Sequence, residues 1–169
     1  DAAARARERE QLVARAGCAG YVIEEVDDTG DCMFDAIAKQ ESRVSGREVS
    51  MSDVRAQVAR YLRNHAAEYR GYVITGDGKV KSFEEYCNRV ERTAEGKTKL
   101  WGEHLTLGVA ANALKRSIRV YRSNVEDPLE LHCNTPAVGG TPAAELVLGL
   151  IPEIHYVSLV KKKDMDAMG

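Results

Sequence analysis

The run Val26-Asp27-Asp28-Thr29-Gly30-Asp31-Cys32-Met33-Phe34-Asp35-Ala36-Ile37 constrains this chain more than any other stretch. A β-like segment at residues 21–26 stops at an Asp/Thr/Gly turn, and apolar side chains at helical spacing begin at the cysteine. Such an order puts a thiol on a strand–turn–helix junction. A helix N-terminus presents unpaired N–H groups and about half a positive charge, which favours the thiolate, the nucleophilic form of cysteine. Near the other end of the chain, His155 opens the strand-like run His155-Tyr156-Val157-Ser158-Leu159-Val160. A thiol at a helix start and a histidine at a distant strand start suggest a cysteine hydrolase.

The remaining composition narrows the class. A chain of 169 residues, 44% hydrophobic, suffices for one domain with a core. A net charge of −2 offers no basic face, so nucleic acid is not an expected partner. No apolar run reaches the roughly 20 residues of a membrane span, and the start lacks a signal-peptide pattern, so no membrane association is expected. Cys18, Cys32, Cys87 and Cys133 form no CxxC pair, which argues against a zinc site or a disulfide framework. No metal or cofactor is called for, and free thiols fit a reducing compartment such as the cytoplasm. The chain begins inside a charged, Ala-rich stretch, as a piece of a longer protein would.

The organisation reads as an N-terminal helix over 1–20, a main domain over 21–160 and a flexible tail over 161–169. Residues 1–16 are rich in Ala, Arg and Glu, with Gly17 as a stop. After the short strand at 21–26, a buried helix covers 32–40 and a polar loop 42–50. Ser50 or Ser52 caps a helix carrying Val54, Val58, Tyr61 and Leu62. Gly76-Asp77-Gly78-Lys79 is a turn, and Ser82-Phe83-Glu84-Glu85 has the capping-box form, opening a helix to about Val90. Residues 93–99 are polar. A helix over 103–114 carries Leu105, Val109, Ala113 and Leu114, and strands follow at 117–121, 129–132 (weaker), 146–150 and 155–160, with a loop at 134–142. Helices first and strands after suggest an α+β domain, a small sheet packed between helices.

Three blocks, in order, resemble the ovarian-tumour (OTU) family of cysteine proteases. Gly30-Asp31-Cys32-Met33-Phe34-Asp35-Ala36-Ile37 is similar to the family's nucleophile block, D-G-[DN]-C followed by an apolar pair. Leu100-Trp101-Gly102-Glu103-His104-Leu105, with Ser117-Ile118-Arg119-Val120-Tyr121 after it, resembles the W-G-x-x-x-L helix and its following strand. His155-Tyr156-Val157-Ser158 is similar to the H-Y-x-S block. The resemblance covers nearly all of 21–160 and implies a papain-like OTU fold and a monomeric deubiquitinase, its partner ubiquitin, polyubiquitin or a ubiquitin-like modifier.

The resemblance implies Cys32 as nucleophile and His155 as general base and then acid. Two positions depart from the family pattern. Thr29 stands where an aspartate is usual, and Val157 where an Asp or Asn commonly orients the imidazole. Asp28 becomes the candidate orienter, with Asp27, Thr29, Ser158, a backbone carbonyl or water as alternatives. The backbone N–H groups of Thr29, Gly30 and Asp31 form the expected oxyanion hole. Trp101, His104 and Tyr156 are candidates for the substrate groove, Trp101 equally for the core. A silent ubiquitin-binding module and a viral-type polyprotein protease remain alternative readings.

Overall fold

The computed structural model describes residues 2–27, 32–74, 82–92, 103–134, 143–152 and 155–167. Helix α1 (Ala2–Cys18) leads into β1 (Tyr21–Glu24) through Gly20, whose φ of +88° lies in the left-handed region that favours glycine. Helices α2 (Cys32–Ser45), α3 (Met51–Asn64), α4 (Ala66–Ile74), α5 (Phe83–Glu91) and α6 (Glu103–Leu114) follow. Strands β2 (Ile118–Arg122), β3 (Val125–Leu131), β4 (Leu146–Ile151) and β5 (His155–Lys161) come next, and a short α7 (Lys162–Ala167) comes last. Among the described residues, no helix is long and apolar enough to cross a membrane.

The strands form one sheet in the order β1-β5-β4-β2-β3, with β2 and β4 parallel and the other neighbours antiparallel. Every residue of β4 is buried, which accounts for its unbroken apolar run Leu-Val-Leu-Gly-Leu-Ile. Leu146, Leu148 and Leu150 face a large core built by α2, α3, α5 and α6, including Phe34, Ile37, Val54, Val58, Tyr86 and Leu107. Val147 and Ile151 join Val157 and Leu159 of β5 against Leu12 and Ala16 of α1. The sheet thus lies between helices, as expected for this α+β sequence. Helix α1 comes so close that a Cβ on Gly149 would sit 2.9 Å from Val157 Cγ2 and 3.0 Å from Leu12 Cδ2. Full burial of a leucine such as Leu12 contributes about 1.5–3 kcal/mol.

Capping signals hold well. Ser50 accepts the N–H of Asp53 while Asp53 reaches back to Ser50, and Ser82 accepts the N–H of Glu85. Helix α2 outruns the expected 32–40 by a full turn. Ser42 lies 2.8 Å from the Ala38 carbonyl and accepts the N–H of Val49, so its hydroxyl serves both the helix and the chain that follows. Strand β3 starts at Val125, earlier than the expected 129, and takes Pro128 into the strand. On this sheet edge a proline removes no needed donor. Of the tail expected over 161–169, Lys161 ends β5 and residues 162–167 form α7. The expected turn at 76–79, the polar segment 93–99 and most of the loop at 134–142 lie outside the described residues.

Candidate active site

Cys32 is the first residue of α2, where the amides of the opening turn lack intrahelical acceptors. The junction is set by strand lengths. The β1–β5 ladder ends at Glu24↔Ser158, whereas β5 continues three residues further toward its start. Tyr156 is therefore past the end of β1, and its backbone N–H donates to Cys32 Sγ at 3.4 Å, across a sequence separation of 124. The thiol fills the place a β1 acceptor would have taken. A hydrogen bond from an N–H is worth more to an anionic sulfur than to a neutral one.

His155 is the residue next to that amide, the first of β5, paired with Ile151 of β4 and half-buried. Consecutive Cα atoms are about 3.8 Å apart, so the fold brings the neighbourhoods of Cys32 and His155 together. Two other histidines are placed differently. His65 stacks on Tyr61 with ring centroids 3.9 Å apart and its Nδ1 lies 2.8 Å from the Tyr61 carbonyl, while His132 is exposed beyond β3.

Tyr156, an expected groove residue, places its ring in the large core at 5% exposure; what it turns to the thiol is its main-chain amide. Val157 is fully buried on the α1 side of the sheet. Ser158, one alternative partner for the imidazole, is engaged elsewhere: its hydroxyl donates to Glu24 Oε1 at 2.9 Å and accepts from Gln40 Nε2 at 2.8 Å. Asp27 is exposed. Asp28, Thr29, Gly30, Asp31 and Trp101, and the side chain of His104, lie outside the described residues.

Charged groups that sequence reading passed over brace this junction. Glu24 of β1 holds Arg43 of α2 in a two-pronged ion pair, Nε to Oε1 at 3.1 Å and the second nitrogen to Oε2 at 2.5 Å. The Arg43 and Ser158 hydrogen bonds hold the Glu24 carboxyl below its ordinary range, the Arg43 bond foremost and burial opposing. Arg55 of α3, only 1% exposed, sits 4.3 Å from the ring centroid of Phe34 and donates to the Val90 carbonyl at 3.0 Å. Burial pulls its guanidinium down to about 10, still cationic at neutral pH. The guanidinium thus supports Phe34, two residues from the thiol, through a cation–π contact. The signal that could have found Arg55 is its phase, since it shares the apolar face of α3 with Val54, Val58 and Leu62. Among the described residues, no group of three or more His, Cys, Asp or Glu could hold a metal ion.

Comparison with known proteins bears on the family and the fold. The profile of the OTU-like cysteine protease family matches residues 27–139, more than half of the chain, a span that includes Cys32 and ends before His155. The ubiquitin thioesterase otu2 of Schizosaccharomyces pombe is 25% identical over 112 residues, 66% of this chain and 35% of that protein. The chain spans about a third or less of the length of the curated relatives it matches. The structure of the OTUD1 OTU domain superposes with a TM-score of 0.67 at 17% identity, covering 95% of this chain and 99% of that one. An OTU deubiquitinase from Wolbachia pipientis wMel bound to ubiquitin superposes at 0.61 and 11% identity, covering 86% and 98%. At these identities the likeness is one of fold.

Proposed function

The chain belongs to the OTU-like cysteine protease family, and on that premise we propose that it hydrolyses isopeptide bonds at the C-terminus of ubiquitin or a ubiquitin-like modifier. The observation that carries this reading is Cys32 at the start of α2, its sulfur taking the Tyr156 amide beside His155. The names of its relatives, a ubiquitin thioesterase and a ubiquitin-bound deubiquitinase, supply the substrate class.

Cys32 thiolate attacks the isopeptide carbonyl. The oxyanion that forms is held by backbone N–H groups of Thr29, Gly30 and Asp31. His155 gives its proton to the departing lysine amine, leaving a thioester between Cys32 and the modifier. His155 then takes a proton from water, which attacks the thioester and releases the modifier's carboxylate and the free thiol. Asp28 fills the orienting role that Val157 cannot take, by accepting a hydrogen bond from the imidazole, with Thr29 the weaker, neutral alternative. Trp101 and His104 border the channel for the modifier's extended tail, to which Tyr156, its ring in the core, offers only its main chain. The domain works as a monomer in a reducing compartment such as the cytoplasm, consistent with four cysteines of which none is in a disulfide.

The test is cleavage of a panel of linked di-ubiquitins and ubiquitin-like precursors by the wild type and Cys32→Ala. Turnover by the wild type, and its loss by on the order of 10⁴-fold or more in the variant, is the expected result. Equal turnover by both removes Cys32 from the mechanism.

A further inference from the structure

The β4–β5 ladder runs Ile151↔His155, Leu150↔Tyr156, Gly149↔Val157 and Leu148↔Ser158. One further step in the same register would pair Val147 with Leu159. Gln40 of α2 stands in that place. Its Oε1 accepts the N–H of Val147 at 2.7 Å, and its Nε2 donates to the carbonyl of Leu159 at 2.8 Å. One strand's donor and the other strand's acceptor are both satisfied by a side-chain amide in place of each other. The Nε2 group also donates to Ser158 Oγ at 2.8 Å, so one carboxamide makes three bonds at 4% exposure. Its partners settle which end is oxygen, because Val147 can only donate and the Leu159 carbonyl can only accept.

Helix α2 is therefore attached to β5 at two points, Cys32 on Tyr156 and Gln40 on Leu159. The stretch of α2 from Cys32 to Gln40 rises about 12 Å at 1.5 Å per residue. The stretch of β5 from Tyr156 to Leu159 covers about 10 Å at roughly 3.3 Å per residue. Two attachments of matching spacing admit one register of helix on strand. A slip of α2 by one residue would carry Cys32 about 1.5 Å along β5.

We propose that Gln40 is a positioning residue: by replacing the Val147–Leu159 rung it locks α2 in register on β5 and holds the Cys32 sulfur against the His155–Tyr156 peptide. This rests on reading Cys32 and His155 as the reacting pair, and the test separates the two claims. Gln40→Met keeps the length and removes every hydrogen bond; Gln40→Glu keeps the acceptor for Val147 and, as a carboxylate, loses the donor to Leu159. Each is studied at a temperature where circular dichroism shows it folded. Two quantities are read: kcat and KM on a fluorogenic ubiquitin substrate, and the pH profile of iodoacetamide alkylation, mapped to Cys32 by peptide mass spectrometry.

The expected result for Gln40→Met is a kcat loss of about a hundredfold, the scale of a 1 Å misplacement, with KM within about twofold. Its Cys32 alkylation profile moves to higher pH as the sulfur loses the Tyr156 amide. Gln40→Glu falls between it and the wild type, and carries the test alone if Gln40→Met does not fold. Ser158→Ala, which leaves both ends of the replaced rung in place, keeps kcat within about threefold. A folded Gln40 variant with wild-type kcat and alkylation profile overturns the proposal, as does a loss confined to KM. A wild type that alkylates normally yet cleaves no ubiquitin substrate would sink the functional reading, while the alkylation profiles still decide the role of Gln40.

Discussion

Cys32 and Cys87 are both helical and both buried, 7% and 0% exposed, yet their surroundings differ in kind. Cys87 lies in the middle of α5, where burial pushes its thiol up to about 11, Glu84 and Glu91 adding to the shift and Arg63 opposing it. It fills the core as a small apolar side chain would. Cys32 begins its helix, and a backbone N–H from another element is aimed at its sulfur. What separates them is the supply of donors, since burial alone would silence both. Strand lengths create that supply: β1 stops short of Tyr156, and the amide left over points at the thiol.

The largest effect that would sharpen this contrast is in thiol chemistry. With a thiol at about 11, only about a thousandth of Cys87 is thiolate at pH 8. Its alkylation by iodoacetamide in the native protein should climb about tenfold per pH unit from there toward pH 11, whereas Cys32 reacts readily at pH 7–8. Peptide mapping of a timed alkylation series checks this. Comparable rates at both residues would erase the distinction.

A second effect separates the thiol's side of the sheet from the far side. Leu12→Ala, in the cluster between α1 and the sheet, should cost about 2–5 kcal/mol in urea unfolding. The ratio of Cys32 to Cys87 reactivity should stay unchanged at temperatures where the variant is folded. A changed ratio would mean that α1 takes part in shaping the site.

The smallest effect concerns Glu24, bound to Arg43 and Ser158 beneath α2. Its folded carboxyl is held below its ordinary value of about 4.5. A depressed carboxyl stabilises the fold above its unfolded pKa, and that contribution disappears as pH falls through the folded value. The stability gap between wild type and Glu24→Gln should be constant near neutrality and shrink as pH drops below about 4.5. Urea unfolding from pH 3 to 7 measures it; a gap independent of pH would show the ion pair contributes nothing.

Much of this was legible in the chain because local chemistry and tertiary packing agree. The α6 boundaries, Glu103 and Leu114, follow from apolar spacing, and Ser50 and Ser82 announce their helices by capping. Cys32 was legible because a turn and a helix start meet there. Gln40 and Arg55 were not, because each is a polar residue in the apolar phase of its helix, and periodicity scores such a residue as an interruption. Only the tertiary partners, a broken ladder rung for one and an aromatic ring with a carbonyl for the other, explain their burial. Strand β3 begins four residues earlier than expected, and its Pro128 is tolerated because β3 is the sheet edge, which the sheet order alone reveals.

The central claim is that this fold makes Cys32, and no other cysteine, the nucleophile toward a ubiquitin-type C-terminus. Ubiquitin carrying a C-terminal electrophile tests it most directly, read by intact mass and peptide mapping. The account predicts one adduct per chain, on Cys32, lost in Cys32→Ala and retained in Cys87→Ala. An adduct on Cys87, Cys18 or Cys133, or none at all, would contradict it.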